Sequence, residues 1–133
     1  FKGSWLSAWL SNFGSKVIGV SNEVPTEPSH YQIIKNNFFQ DLRIDMRDSQ
    51  KIYDLIKLMK PDFIFHLAAQ PIVLQSYEKP LETFNTNIIG TANLLDALRK
   101  VNHECISVII TSDKCYDNIE KNFGYSENDR LGG

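Results

Sequence analysis

The run from Cys105 to Tyr116, CISVIITSDKCY, constrains this chain more than any other stretch. Ile106, Val108, Ile109 and Ile110 are interrupted only by Ser107, a pattern that predicts a strand buried on both faces, as in a parallel sheet. The strand ends in Thr111-Ser112-Asp113-Lys114. Ligands of open α/β sheets bind outside the carboxyl ends of the strands, so a hydroxyl, a carboxylate and an amine in succession there are candidates for chemistry. A plain polar exit from a strand is the competing reading.

The rest of the chain supplies elements for such a sheet. Trp5, Leu6, Trp9, Leu10 and Phe13 recur at helical spacing between a Ser4 cap and Gly14, predicting a helix over 4–13. Strands are expected at 16–21, 42–45 and 62–66, and a helix at 48–60 carries Ile52, Leu55, Ile56 and Met59 on one face. Pro80 opens a long helix to about 100, lined by Leu81, Phe84, Ile88, Thr91, Leu94, Leu95 and Leu98. Residues 22–29 read as a loop, 30–40 give no clear period, and 71–79 read as polar and partly helical. The order is that of a Rossmann-like, doubly wound α/β domain with a parallel sheet.

With 133 residues, one domain is expected. A formal charge of −2 with interspersed signs disfavours nucleic acid and anionic membranes as partners, and a small polar ligand is expected instead. No apolar run approaches the roughly 20 residues that span a bilayer, and a cytoplasmic location is expected. The two cysteines, Cys105 and Cys115, stand in no metal-binding spacing and read as reduced thiols.

Several residues become candidates by position. Gly3, at a helix start, stands where a dinucleotide-binding turn has its last glycine, or it is simply a helix-start residue. Asp45 follows a strand and can accept from an adenine amine while Met46 packs on the ring, whereas Asp48 suits a helix cap. His66-Leu67-Ala68-Ala69-Gln70 ends the next strand, and its two alanines let a ligand approach the backbone. His66 reads as a hydrogen-bonded core histidine before a catalyst. Asn87 is either a buried polar clamp or an exposed face residue.

PTEPS at 25–29, HLAAQP at 66–71, Ser76-Tyr77, PLET at 80–83, NIIGT at 87–91, TSDKCY at 111–116, Gly124-Tyr125 and Glu127-Asn128-Asp129 together resemble the CDP-glucose 4,6-dehydratase family of extended short-chain dehydrogenase/reductases. HLAAQ and NxxGT are shared across that superfamily, whereas SDKCY and PTEPS are narrower. The resemblance implies NAD as a recycled hydride carrier and CDP-glucose as substrate. It assigns Ser112 to the C4 hydroxyl, Asp113 to protonation of the departing C6 hydroxyl and Lys114 to proton removal at C5. Stabilisation of the enolate by the ammonium is the alternative role for Lys114. Gly3, Asp45, Met46, Leu67, Ala68, Ala69, Gln70 and Thr111 are its implied cofactor contacts, and a homodimer through the 80–100 helix is implied. Alternatives are another nucleotide-sugar epimerase or dehydratase, or a non-catalytic NAD-binding regulatory protein.

The chain departs from the family pattern in three places. Only the third glycine of the dinucleotide fingerprint, Gly3, has a counterpart, and neither Tyr116 nor Tyr125 begins a YxxxK pair. The strand ending Val20-Ser21 lacks the family's ribose-binding acid, and no arginine follows it, which favours NAD over NADP. The chain is therefore expected to be a fragment, with open edges on the strands at 16–21 and 62–66, and poorly folded and inactive on its own.

Overall fold

The computed structural model describes residues 1–35 and 40–132, except for the side chain of Asp113. The elements are α1 (Lys2–Asn12), β1 (Ile18–Ser21), α2 (His30–Ile34), β2 (Gln40–Arg43), α3 (Ser49–Met59), β3 (Phe63–His66), α4 (Val73–Glu78), α5 (Pro80–Phe84), α6 (Gly90–Lys100) and β4 (Ile106–Ile109). A π-helical turn, Asn85–Ile89, joins α5 to α6, and a 3-10 turn, Asp113–Cys115, follows β4.

Among the described residues the four strands pair in parallel, as the apolar runs predict, but in two separate pairs, and one isolated antiparallel bridge joins Tyr116 to Leu131. β1 lies against β2 with Ser21 opposite Arg43, and β3 lies against β4 with His66 opposite Ile109. β1 and β3 are not hydrogen-bonded to each other, so each keeps one open edge. The two pairs are joined through α3, whose amino end is capped by Asp48: its carboxylate accepts the Lys51 N–H at 3.1 Å. Lys60 ends α3 in the left-handed region (φ 45°), just before Pro61.

Among the described residues, the buried apolar core consists of Ile52 and Ile56 from α3 and Leu94 and Ala97 from α6. Ile44, Met46, Tyr53, Ile64, Leu98, Val101 and Ile109 pack around them. The helices therefore cover one face of β3–β4. The other face corrects the expectation of a strand buried on both sides: Ile106 is 59% and Ile110 50% exposed, and Phe63 and Phe65 beside them are exposed too. No described element packs over that face. The accessible surface, 10088 Å², exceeds the roughly 7,100 Å² expected of a folded monomer of 15.2 kDa.

Three other expectations change. The 80–100 helix is continuous in direction but contains the π turn, because the Gly90 N–H bonds the carbonyl of Asn85. Within 30–40 lies a short helix capped by Ser29, whose hydroxyl accepts the Gln32 N–H. Ser4 caps nothing; it lies inside α1, where its hydroxyl donates to the Phe1 carbonyl at 2.7 Å.

Candidate functional site at the carboxyl ends of the strands

The parallel register of β3 and β4 brings two loops to the same edge. The Ile110 N–H bonds the His66 carbonyl at 3.0 Å, so Leu67–Gln70 and Thr111–Lys114 leave the sheet side by side. Leu67 and Ala68 are half-buried, while Ala69, Thr111 and Ser112 are exposed. Ser112 shapes the turn that follows: its hydroxyl accepts the Lys114 N–H at 3.1 Å and its carbonyl accepts the Cys115 N–H at 3.3 Å. Lys114 then lines an open cleft of about 770 Å³ with Tyr116, Asp117, Asn118, Tyr125, Arg130 and Gly132.

The far wall of this cleft is internally tied. Tyr116 stacks on Tyr125 with centroids 5.2 Å apart, and the Tyr125 hydroxyl donates to Asn118 Oδ1 at 2.9 Å. The Lys121 ammonium lies 4.4 Å from the Tyr125 ring centroid and pairs with Asp129 at 2.6 Å. That ammonium holds the Asp129 carboxyl below the usual carboxylate range.

The Leu67–Gln70 loop is fixed from the π turn. Asn87 proves to be a clamp: its Oδ1 accepts the Gln70 N–H at 2.7 Å and its Nδ2 donates to the Gln70 carbonyl at 3.1 Å. The Gln70 side chain is spent inside the protein, accepting from Ile72 N–H at 2.6 Å and donating to the Ile72 carbonyl and to Thr83 Oγ1. It shapes the loop, while Leu67, Ala68 and Ala69 present small or apolar groups to the edge.

His66 is 5% exposed. The Thr91 hydroxyl donates to the Asn87 carbonyl at 2.7 Å, so its oxygen accepts from His66 Nε2 at 2.9 Å, which assigns the imidazole proton to Nε2. Burial pushes this imidazole below its ordinary pKa, making it a core histidine held neutral. As pH falls, the unfolded chain takes up this proton before the folded one does. Stability is therefore expected to be full above about pH 6.5 and to fall below it. Melting curves between pH 7.5 and 5.5 check this, and His66→Gln should flatten that slope.

A third loop follows β2. Asp45 accepts the Arg47 N–H at 2.8 Å and forms a two-pronged pair with its guanidinium, which lowers the Asp45 pKa. Its carboxylate is thus already engaged, and Arg47 is the neighbour that orients it. Met46 packs against the core. Gly3 lies in the first turn of α1, and a Cβ there would meet no protein atom within 4 Å. Among the described residues no cluster of His, Cys, Asp or Glu could hold a metal, and no helix is long and apolar enough to cross a membrane.

Parallel strands linked by helices, with polar loops gathered at their carboxyl ends, define a Rossmann-like α/β protein. The family follows from comparison: the model of the GDP-mannose 4,6 dehydratase family matches residues 1–132, and the chain belongs to that family. CDP-glucose 4,6-dehydratase of Salmonella typhimurium is 47% identical over 134 residues, 100% of this chain and 37% of that protein. CDP-paratose 2-epimerase of Salmonella typhi is 31% identical over 96% of the chain and 38% of its own length. The chain thus spans little more than a third of these relatives. Among solved structures, UDP-glucose 4-epimerase of Thermus thermophilus in complex with NAD superposes with a TM-score of 0.81 at 25% identity, covering 99% of this chain and 41% of the other.

Proposed function

We propose that the complete protein dehydrates CDP-D-glucose to CDP-4-dehydro-6-deoxy-D-glucose, as a hydro-lyase serving deoxysugar and O-antigen-type polysaccharide synthesis. The observation that carries this reading is the 47% identity to a CDP-glucose 4,6-dehydratase along the whole chain. The matched region spans Thr111–Lys114, at the carboxyl end of β4.

NAD fits the edge this chain presents. Ala68 and Ala69 offer only methyl groups there, Gly3 leaves open space at the start of α1, and the loop after β2 brings a carboxylate, Asp45, held in place by Arg47. When bound, NAD would accept a hydride from C4 of the sugar, as the C4 hydroxyl gives its proton to a base of the complete protein, and would later supply that hydride to C6. Ser112 would hydrogen-bond the C4 hydroxyl. Oxidation at C4 acidifies the C5 proton, which Lys114 would remove or whose enolate it would stabilise, while Asp113 protonates the C6 hydroxyl as it leaves as water. Leu81, Ile88 and Leu95 are 77%, 56% and 49% exposed, and this uncovered apolar surface favours a homodimer built on this helix. A cytoplasmic site of action fits a nucleotide-sugar substrate.

The test is to incubate the complete protein separately with CDP-, UDP- and dTDP-glucose and to follow the 4-keto-6-deoxy product by its absorbance in alkali. Product from CDP-glucose alone is expected. Turnover of only a UDP- or dTDP-sugar would replace this reading with a related dehydratase or epimerase, and no turnover despite bound NAD with a non-catalytic one.

A further inference from the structure

The π turn and the start of α6 touch both loops that face the proposed cofactor. Asn87 grips Gln70 through both its backbone N–H and its carbonyl, at 2.7 and 3.1 Å. Six residues later, Asn93 Nδ2 donates to the carbonyls of Met46 and Arg47 at 3.0 and 3.1 Å, across 47 and 46 residues of sequence. Between them Gly90 lets Met46 approach, since a Cβ on Gly90 would stand 3.2 Å from the Met46 Cβ. A π turn inserts one extra residue into the helix, which turns the faces before and after it relative to each other. One helix can then hold the loop after β3 on one side and the loop after β2 on another.

The two loops belong to different strand pairs, and only one of them borders the chemistry. Leu67–Gln70 runs beside Thr111–Lys114, so it serves the end of the cofactor that exchanges the hydride. Asp45–Arg47 lies beyond β2 and serves the other end. Resting on the proposed function, we infer that Asn93 and Asn87 are positioning residues that act on separate halves of a dinucleotide, Asn93 on the adenylate half through Met46–Arg47 and Asn87 on the nicotinamide half through Gln70. Neither touches the ligand itself. Arg47 is exposed and Met46 half-buried, so water can replace the Asn93 amide at this loop when Asn93 is removed, and the loop loses its register while the fold survives.

The experiment uses the complete protein and reads AMP affinity, NAD affinity and turnover of CDP-glucose for the wild type, Asn93→Ala, Asn93→Asp, Gly90→Ala and Asn87→Ala, with melting temperatures alongside. Asn93→Ala is expected to weaken AMP about tenfold, the size of one or two lost hydrogen bonds, with kcat at saturating NAD little changed. Asn93→Asp, of equal size but without the donor, should be at least as weak, and Gly90→Ala should follow by displacing Met46. Asn87→Ala should lower kcat about tenfold and leave AMP affinity unchanged. Equal losses of AMP affinity and kcat in all variants, or no loss in any, with a wild type that binds NAD, would overturn the assignment. A wild type that binds neither NAD nor AMP would instead overturn the proposed function, and the inference with it.

Discussion

Lys114→Ala in the complete protein is expected to lower turnover of CDP-glucose by about 10²–10⁴, the range that a positioned proton-transfer group contributes, while NAD affinity stays unchanged. The side chain leaves a 3-10 turn whose amide is tied to the Ser112 hydroxyl, and it lines the cleft rather than the Leu67–Gln70 edge. Loss of the amine therefore removes a group from the substrate side without disturbing the cofactor side. Lys114→Arg separates the two roles left open for this residue. Arginine keeps the charge but cannot give up a proton, so an arginine variant as slow as the alanine one marks Lys114 as the base. Substantial turnover by the arginine variant marks it as the stabiliser of the enolate. Full activity of Lys114→Ala would remove Lys114 from the mechanism.

The second large effect is on stability. Leu94 is 4% exposed and packs with Ile52, Ile56 and Ala97 in a core that contains no other buried apolar side chain among the described residues. Truncation to alanine leaves a cavity where α3 meets α6, and a loss of about 2–5 kcal/mol is expected. Leu58→Ala, on the outer face of α3 and 75% exposed, should stay within about 0.5 kcal/mol of the wild type. Urea denaturation of the two variants of the complete protein, side by side, checks the contrast, and equal losses would contradict a core centred on Leu94.

Periodicity made much of the fold legible. Ile52 and Ile56 on α3, and Leu94 on α6, face the core as their spacing predicts. The limits of that signal are equally physical. Ile106, Val108 and Ile110 read as doubly buried because a run of apolar residues reports what a strand can bury, whereas burial itself needs a covering element. The strand expected at 42–45 lies at 40–43: Ile44 still bonds Ser21 beyond the ladder, but Asp45 turns aside to hold Arg47.

The Ser112–Lys114 and Leu67–Ala69 segments were legible because residue type and strand end coincide. Asn93 and Thr91 gave no such signal as polar contacts, since their partners lie 47 and 25 residues away and leave no local spacing. The π turn was hidden for a different reason: the apolar positions on either side of it still fall three and four apart.

Burial is distributed unevenly between the two strand pairs. Every buried residue lies in α3, β3 or α6, and none lies between Phe1 and Arg43 among the described residues. Local opening costs least where little apolar surface is packed, so the amides of β1 and β2 can exchange with solvent through excursions that leave the α3–α6 core intact. The amides that pair β3 with β4 lie against that core and are expected to exchange more slowly. Within one continuous chain, the half that carries the candidate chemistry therefore sets the global stability, and the half that precedes it breathes on a faster clock.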